Sequence, residues 1–347
     1  MKKNLKVNLI WFGLIIGLFL ILKGLELSGI MNLYYIQILM GIGISILMGL
    51  GTNLVLGFSG QFTLGQAGFM AIGAYSSAII TGMMPTYDGF YLSMVVGVII
   101  AAIVALIFGL PTLRLKGDYL AIVTLAFGEI IKNIINVLYI GLDEKGLHFS
   151  LLEQHFTLAE GGSMIINGPM GVGGVQKLSS FSSGVVLILI TLFLVLNLIH
   201  SRTGRAIMAV RDNKIAAESI GLSVTRYKLL AFVISAVFAG MAGTLYAMNF
   251  STVTASKFDF NTSILILVFV VLGGLGNIWG SIIAAALLTV LPELLRSMND
   301  YRMLIYAILL IVMMIFNNSG AKKRLTEYFS AQKEKRTAKK AAGKGVN

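Results

Sequence analysis

The sequence predicts an all-α polytopic membrane protein of about ten transmembrane helices, some of them broken or re-entrant, with both termini in the cytoplasm. Of its 347 residues, 57% are hydrophobic and only 12% are charged, about half of the roughly 25% usual in soluble domains. Ten helices of about 20 residues fit within this length, and the 39 glycines are typical of membrane helices. Because there are no cysteines and only three histidines, neither disulfides nor a thiolate or histidine-built metal site is expected.

Ten apolar runs are long enough to cross the hydrocarbon core. The first has a basic start and is short, as in a signal peptide, but no small-x-small cleavage site follows, so an uncleaved anchor is predicted. Glycine clusters in the third run and around the eighth and ninth predict broken or re-entrant helices. In the seventh run, Ser235, Ala239 and Gly243 place small residues at four-residue spacing, which predicts close packing of helix backbones. The runs lie at 8–22, 33–56, 62–81, 90–110, 119–140, 184–200, 229–249, 263–279, 280–297 and 303–317.

The positive charges predict the orientation. With the amino terminus inside, 20 of the 27 lysines and arginines fall in cytoplasmic segments, six fall outside and Lys132 lies within a span. This bias follows the positive-inside rule and places both termini in the cytoplasm. Residues 321–347 then form a basic cytoplasmic tail, with nine Lys/Arg and two Glu, behind a transmembrane domain at 1–320. The tail is interpreted as a solvated segment attracted to anionic lipid rather than a nucleic-acid-binding one.

No enzyme signature is present. The cluster Gly274–Gly280 has the wrong spacing for a dinucleotide-binding loop, and no P-loop lysine follows any glycine cluster. Gly57–Gly60 is not a nucleophile elbow, because its second glycine comes one residue too early. Any energy source that the protein uses is therefore expected to be another subunit or an ion gradient.

The cytoplasmic loop 201–228 contains a short predicted helix. Asp212–Asn213 is a good N-cap and Gly221 a good C-terminal residue, with about two helical turns between them. Because so short a helix is marginal alone in water, it is expected to pack against the membrane domain or a partner protein; a plain connecting loop is the alternative. The residues assigned to this surface are Arg211, Asp212, Asn213, Ala216, Ala217, Glu218 and Gly221.

Polar residues within two spans are candidates for a substrate path. Glu129, Lys132 and Asn133 share one helical face, and an ionised Glu129 near the bilayer centre costs about 2.5–3.5 kcal/mol. An ion pair with Lys132 or a water-lined path would offset that cost, and both stay open. The stretch 53–75 is rich in glycine and amides, as in broken helices at transporter sites, although close helix packing also explains it. The candidates are Glu129, Asn133, Gln61, Gln66 and Asn53.

The largest predicted extracytoplasmic segment spans residues 141–183. It is rich in glycine and serine, and it carries four acidic residues against two lysines. It is either a surface loop or a docking rim for an extracellular protein.

Five separated blocks resemble the LivM-type permeases, which are membrane subunits of ABC importers for branched-chain amino acids. The resemblance covers about residues 30–317 in the family's order, and the first span and the basic tail fall outside it. The blocks are GFSGQFTLGQAGFMAIGAY at 57–75, LRLKGDYLAIVTLAFGEIIK at 113–132, NGPMGVGGV at 167–175, the stretch 209–247 and GGLGNIWGSIIAAALL at 273–288.

This resemblance implies a non-enzymatic permease subunit in a bacterial-type cytoplasmic membrane that translocates leucine, isoleucine or valine by alternating access. The implied partners are a LivH-type second permease, two cytoplasmic ABC ATPases and an extracytoplasmic amino-acid-binding protein, with membrane lipid around the chain and no nucleic acid. ATP would be used by the ATPases, and no cofactor is expected on this chain. Segment 209–222 matches the family's ATPase-coupling loop. The alternatives are a related permease for urea, a nucleoside or another small polar solute, an ion-coupled transporter using Glu129, and an intramembrane enzyme.

Overall fold

The computed structural model describes residues 2–28, 31–115, 117–143, 146–152, 162–173, 181–250 and 252–318. The chain divides into two compact units, residues 1–289 and 290–347, and each is described by itself. The basic tail at 321–347 and a large part of segment 141–183, including His155, lie outside the described residues.

Among the described residues, each of the ten predicted apolar runs overlaps a helix, and two further helices, α7 and α8, lie in the loop 201–228. Five of the described helical segments are long and apolar enough to cross a membrane: Leu33–Phe58, Tyr87–Thr112, Phe181–His200, Val224–Asn249 and Ala255–Gly273. The chain is therefore a multi-pass membrane protein, while the number of ten spans and the side of the termini stay predictions. The helices are α1 Lys2–Leu27, α2 Leu33–Asn53, α3 Gln66–Met83, α4 Tyr87–Thr112, α5 Asp118–Asn136, α6 Phe181–His200, α7 Arg202–Asp212, α8 Lys214–Ser219, α9 Val224–Asn249, α10 Phe260–Gly273, α11 Ile278–Leu294 and α12 Arg302–Asn318.

Segment 141–183, predicted as a loop or docking rim, contributes strands to two small antiparallel sheets, and the fifth strand comes from the connection between α9 and α10. The first has the strand order β2-β1-β3 and the second pairs β4 with β5. Helix α5 ends at Asn136, four residues before the predicted end of the span, because the apolar run continues into β1. Ile140 of β1 and Ile165 and Ile166 of β3 are buried. The strands are β1 Leu138–Asp143, β2 Gly146–Leu151, β3 Ser163–Asn167, β4 Val172–Gly173 and β5 Thr252–Val253.

Helix α9 lies at the centre of the first unit and packs against α2, α3 and α4. Its small residues allow backbones to touch: a side chain at Gly243 would overlap the carbonyl oxygen of Met70, and one at Gly73 would overlap that of Gly240. Ser235 and Ala239 on the same helix are almost fully buried. This confirms the packing predicted from the small-residue spacing. The tight contacts fix α3 on α9 and so position the segment that precedes α3.

The second unit begins within the last turns of α11 and continues through a 3₁₀ turn, Leu295–Tyr301, into α12. On α12 the exposed apolar residues Leu304, Ile308, Ile311 and Ile315 recur at three- and four-residue spacing. Such a stripe is typical of a helix face that meets lipid or another apolar partner.

Candidate functional site

The glycine-rich stretch after α2 is a broken helix, as predicted. After Asn53 the chain makes a π-helical turn, Leu54–Phe58, and is then non-helical until α3 begins at Gln66. The turn is wide: the Ser59 amide donates to the Leu54 carbonyl at 3.1 Å, and the Gln61 amide donates to that of Val55 at 3.0 Å. Single π turns inside helices occur frequently at functional sites.

A second break separates α10 from α11 at residues 274–277, and Asn53 joins it to the first. The Asn53 Oδ1 accepts from the Gly276 amide at 2.9 Å, and its Nδ2 donates to the Ser281 hydroxyl at 3.0 Å. A Cβ atom at Gly57 would overlap both the Asn53 amide oxygen and the Gly276 nitrogen. Residues 54–65 and 274–277, called the paired breaks below, therefore form one partly buried contact.

Gln61 and Gln66 attach the first break to α9. Gln66 Nε2 donates to the Ser235 hydroxyl at 3.0 Å, and Gln61 Nε2 donates to the Lys228 carbonyl at 3.0 Å. Both side chains are only 2% exposed, and their amide oxygens have no hydrogen-bond partner among the described residues. A buried acceptor without a donor costs about 1–3 kcal/mol, so a donor from a ligand or water would stabilise this region. Gln61 also lines a pocket of about 380 Å³ beside the first break, and the role of both glutamines in a substrate path stays a prediction.

Arg211 points inward to the first break. Its Nη1 donates to the Gly57 carbonyl at 2.8 Å, and its Nε and Nη2 both donate to Asp212 Oδ1, at 2.9 and 2.7 Å. The sequence predicted that Arg211 belongs to a surface that packs against the membrane domain or a partner protein, and its bond to Gly57 is a contact of the first kind. The guanidinium supplies the carbonyl of the π turn with a charged, and therefore strong, donor. A role of Arg211 in coupling to ATPases stays a prediction.

The short helix α8 has the predicted ends. Asn213 Oδ1 accepts from the Ala216 amide at 3.1 Å and caps its start. At its end Gly221 has a φ of +84°, and the Leu222 amide donates to the Ala217 carbonyl at 3.0 Å. This is the left-handed termination that favours glycine.

The predicted surface residues on α8 separate into a buried side and an exposed side. Ala217 is buried in a small apolar cluster with Val210 and Val224, so α8 packs on its own chain. Ile215 and Ile220 are 77% and 75% exposed and are called the isoleucine pair below. Ala216 is exposed as well, and Glu218 forms a loose ion pair with Lys214 at 3.7 Å.

Glu129 forms an ion pair with Lys132 one turn later on α5, at 2.5 Å. Both side chains are partly exposed, and Asn133 is exposed. Glu129 also lines a shallow depression together with Asp259 and Ser263. The predicted ion pair between Glu129 and Lys132 is therefore present in the structure, while the role of Glu129 and Asn133 in a substrate path stays a prediction.

The structure brings Asn53, Gln61, Gln66 and Arg211 to the paired breaks, while Glu129 and Asn133 lie on α5. Sequence reasoning did not assign Ser235 to the site, although it sits in the small-residue pattern. Its hydroxyl accepts from Gln66 and donates to the Gly51 carbonyl at 2.7 Å. The sequence signal that could have identified Ser235 is its hydroxyl group, since the other residues of the small-residue pattern are alanine and glycine.

Most of the chain matches a known protein family. Residues 34–316 match the family model described as the permease component of the branched-chain amino acid transport system. The high-affinity branched-chain amino acid transport system permease proteins LivM of Salmonella typhimurium and Escherichia coli are each 39% identical over 253 residues, which cover 70% of this chain and 59% of each relative. The fructose import permease protein FruG of Bifidobacterium longum is 30% identical over 121 residues, covering 33% of this chain and 36% of FruG. The chain thus spans about three fifths of the length of the LivM relatives.

Proposed function

The chain belongs to the family of branched-chain amino acid transport system permeases, and we propose that it is the membrane-spanning subunit of an ATP-driven ABC importer for leucine, isoleucine and valine. The observation that carries the proposal is the family match over residues 34–316, which runs from the start of α2 to the end of α12. The names of the LivM relatives support the substrate class. Transport would proceed by alternating access, with opposite faces of the membrane opened in turn.

The proposal includes partners that supply energy and substrate. A LivH-type second permease, two cytoplasmic ATPases and an extracytoplasmic amino-acid-binding protein would complete the importer. ATP would bind the ATPases, and this chain would bind no cofactor of its own. The isoleucine pair supports an ATPase contact, because each isoleucine buried on docking contributes about 1.5–3 kcal/mol, and nothing in the described chain covers either side chain.

A mechanical connection would join this contact to the membrane core. Helix α8 follows α7 with only Asn213 between them, and Arg211 at the end of α7 holds the Gly57 carbonyl of the paired breaks. A displacement of α8 by the ATPases would therefore reach the first break through one charged hydrogen bond. Nucleotide can shift the two transport states only by binding them differently, so α8 must occupy different positions in those states.

Reconstitution tests this function against the ion-coupled alternative. The full chain would be incorporated into liposomes with its candidate partner subunits, and uptake of labelled leucine would be measured with and without ATP. We expect uptake that requires ATP, persists with a proton ionophore and is competed by isoleucine and valine. Uptake by the chain without ATPases, or its collapse with the ion gradient, would favour a secondary transporter. Competition by urea or fructose in place of isoleucine would keep the ABC mechanism and change the substrate.

A further inference from the structure

A basic pocket lies beside the first break, at the end of the unit predicted to face the cytoplasm. It has a volume of about 380 Å³, within the size range of small-molecule sites. Its walls come from three parts of the chain: the break at residues 60–62, the α4–α5 connection, and the segment from α8 to the first turns of α9. None of the residues that line it belongs to the amide contacts of Asn53 or Gln66.

The charges around this basic pocket are unbalanced. Arg114, Lys214 and Lys228 line it, against the single carboxylate of Asp118. Among the described residues no carboxylate pairs with Arg114 or Lys228, and Lys214 has only its exposed pair with Glu218. Cations gathered in a half-enclosed cavity repel one another, and an anion would relieve that repulsion. A zwitterionic amino acid, which carries no net charge, would leave the imbalance in place.

The surface next to the basic pocket is apolar and exposed. Ile103, Ile107 and Leu110 are exposed on one face of α4, in the turns that lead to Leu113 and Arg114 of the pocket wall. Such a face suits acyl chains, while the basic pocket at its end suits a phosphate. Basic pockets between membrane helices on the cytoplasmic side bind anionic lipid headgroups.

We propose that the basic pocket binds the phosphate headgroup of an anionic phospholipid of the cytoplasmic leaflet, with Arg114 and Lys228 as its main donors. The guanidinium of Arg114 offers a planar fork that matches phosphate oxygens, and Lys228 adds a compact charge. This site stands independently of the transported substrate. Because Gly60 and Lys214 also line the pocket, the bound headgroup would touch both the first break and α8, and anionic lipid would favour the arrangement in which the two lie together.

Native mass spectrometry of the full purified chain tests the proposal. Dioleoyl phosphatidylglycerol and dioleoyl phosphatidylcholine would be titrated onto the unmodified chain and onto two double variants of equal charge change. Arg114→Gln with Lys228→Gln removes both donors. Arg202→Gln with Arg226→Gln removes two exposed arginines outside the pocket. We expect one tightly held phosphatidylglycerol, weakened about fivefold by each pocket cation removed and roughly 30-fold by both, with the control double variant unchanged.

Further controls identify the source of the bound phosphate and keep the test valid if a variant misfolds. Equal weakening in the two double variants, or equal retention of phosphatidylcholine, would overturn the proposal. Displacement of the lipid by inorganic phosphate or glycerol phosphate at equal concentration would assign the pocket to a free anion instead, and displacement by leucine would assign it to the transported substrate. If the pocket variant does not fold, a salt titration of the unmodified chain serves: the phosphatidylglycerol affinity must fall with ionic strength, and an affinity unaffected by salt contradicts the site.

Discussion

The paired breaks and helix α8 are both short departures from regular membrane helix, and they are held in place by different means. The breaks are partly buried and are fixed by side chains from distant parts of the chain, with Asn53 bonding to Gly276 across 223 positions. Helix α8 is held by its own cap and by a glycine that ends it, and it exposes the isoleucine pair. The first arrangement resists change, while the second leaves apolar surface for another molecule.

The two regions therefore differ in what a substitution should affect. Changes in the paired breaks should lower the free energy of unfolding strongly, since each removes or distorts a contact between distant segments. Changes on the exposed side of α8 should leave the fold intact and affect only what binds there. Arg211 lies between the two, because it belongs to the loop 201–228 and bonds to the first break.

The largest loss of stability is expected for Gly57→Ala. The added methyl group overlaps the Asn53 amide oxygen and the Gly276 nitrogen, so the paired breaks must separate, at a cost of about 3 kcal/mol or more. Thermal unfolding in detergent measures the effect. Gly128→Ala is the matched control, because a Cβ atom there meets its nearest neighbour at 3.9 Å. Similar melting temperatures for the two variants would show that the breaks do not pack as described.

Asn53→Ala should destabilise the chain somewhat less, by about 1–3 kcal/mol, because it leaves the partly buried Gly276 amide without an acceptor and the buried Ser281 hydroxyl without a donor. Asn133→Ala changes the same residue type at an exposed position and should stay within about 0.5 kcal/mol. Unfolding measured by the same method compares them. If the two alanine variants were equally stable, Asn53 would not connect the breaks. A loss of uptake in Asn133→Ala with unchanged stability would support its predicted place in a substrate path.

Local signals in the sequence predicted local structure well. The cap at Asn213 and the terminator at Gly221 are properties of single residues, so the ends of α8 could be predicted without knowing what surrounds them. Small residues on α9 predicted its close packing for the same reason. Hydropathy was less informative at boundaries: the apolar run 119–140 covers both α5 and the start of β1, because a buried strand and a membrane helix are equally apolar. The adjacent β-branched residues Ile165 and Ile166, which are buried in β3, were a sign of a strand in segment 141–183 that the hydropathy reading missed.

Contacts between distant segments could not be predicted. Arg211 and Gly57 are 154 positions apart, and no spacing rule relates them. An arginine beside a capping motif in a basic loop is typical of a solvated surface, so the structure was needed to show that Arg211 bonds to Gly57. The amides of Asn53, Gln61 and Gln66 were identified as unusual at membrane depth, but their partners on α9 and α11 depend on how those helices pack.

Arg211→Gln tests the connection between the two regions. It removes a charged hydrogen bond to Gly57, which contributes about 1.5–3 kcal/mol when buried and less here, because the guanidinium is partly exposed. We therefore expect a stability loss of about 1 kcal/mol and, in the reconstituted importer, a fall of about tenfold in leucine transported per ATP hydrolysed. Arg205→Gln, on the same helix α7 and bonded only to the nearby His200 carbonyl, is the control. If both variants transported the same amount of leucine per ATP hydrolysed, Arg211 would not transmit motion from α8 to the first break.

The smallest effect on stability, with the largest on assembly, is expected for Ile215→Ala combined with Ile220→Ala. Both side chains are mostly exposed, so their loss should change the free energy of unfolding by no more than about 0.5 kcal/mol. If the ATPases cover them, however, the affinity for those subunits should fall by about 100-fold, since each buried isoleucine contributes about 1.5–3 kcal/mol. Ile107→Ala with Ile122→Ala, at comparably exposed positions outside the cytoplasmic loop, should leave that affinity unchanged. Pull-down of the ATPases at graded concentrations distinguishes the variants. An unaltered affinity in the first variant would mean that α8 is only a connection between α7 and α9, and that the ATPases reach the paired breaks by another route.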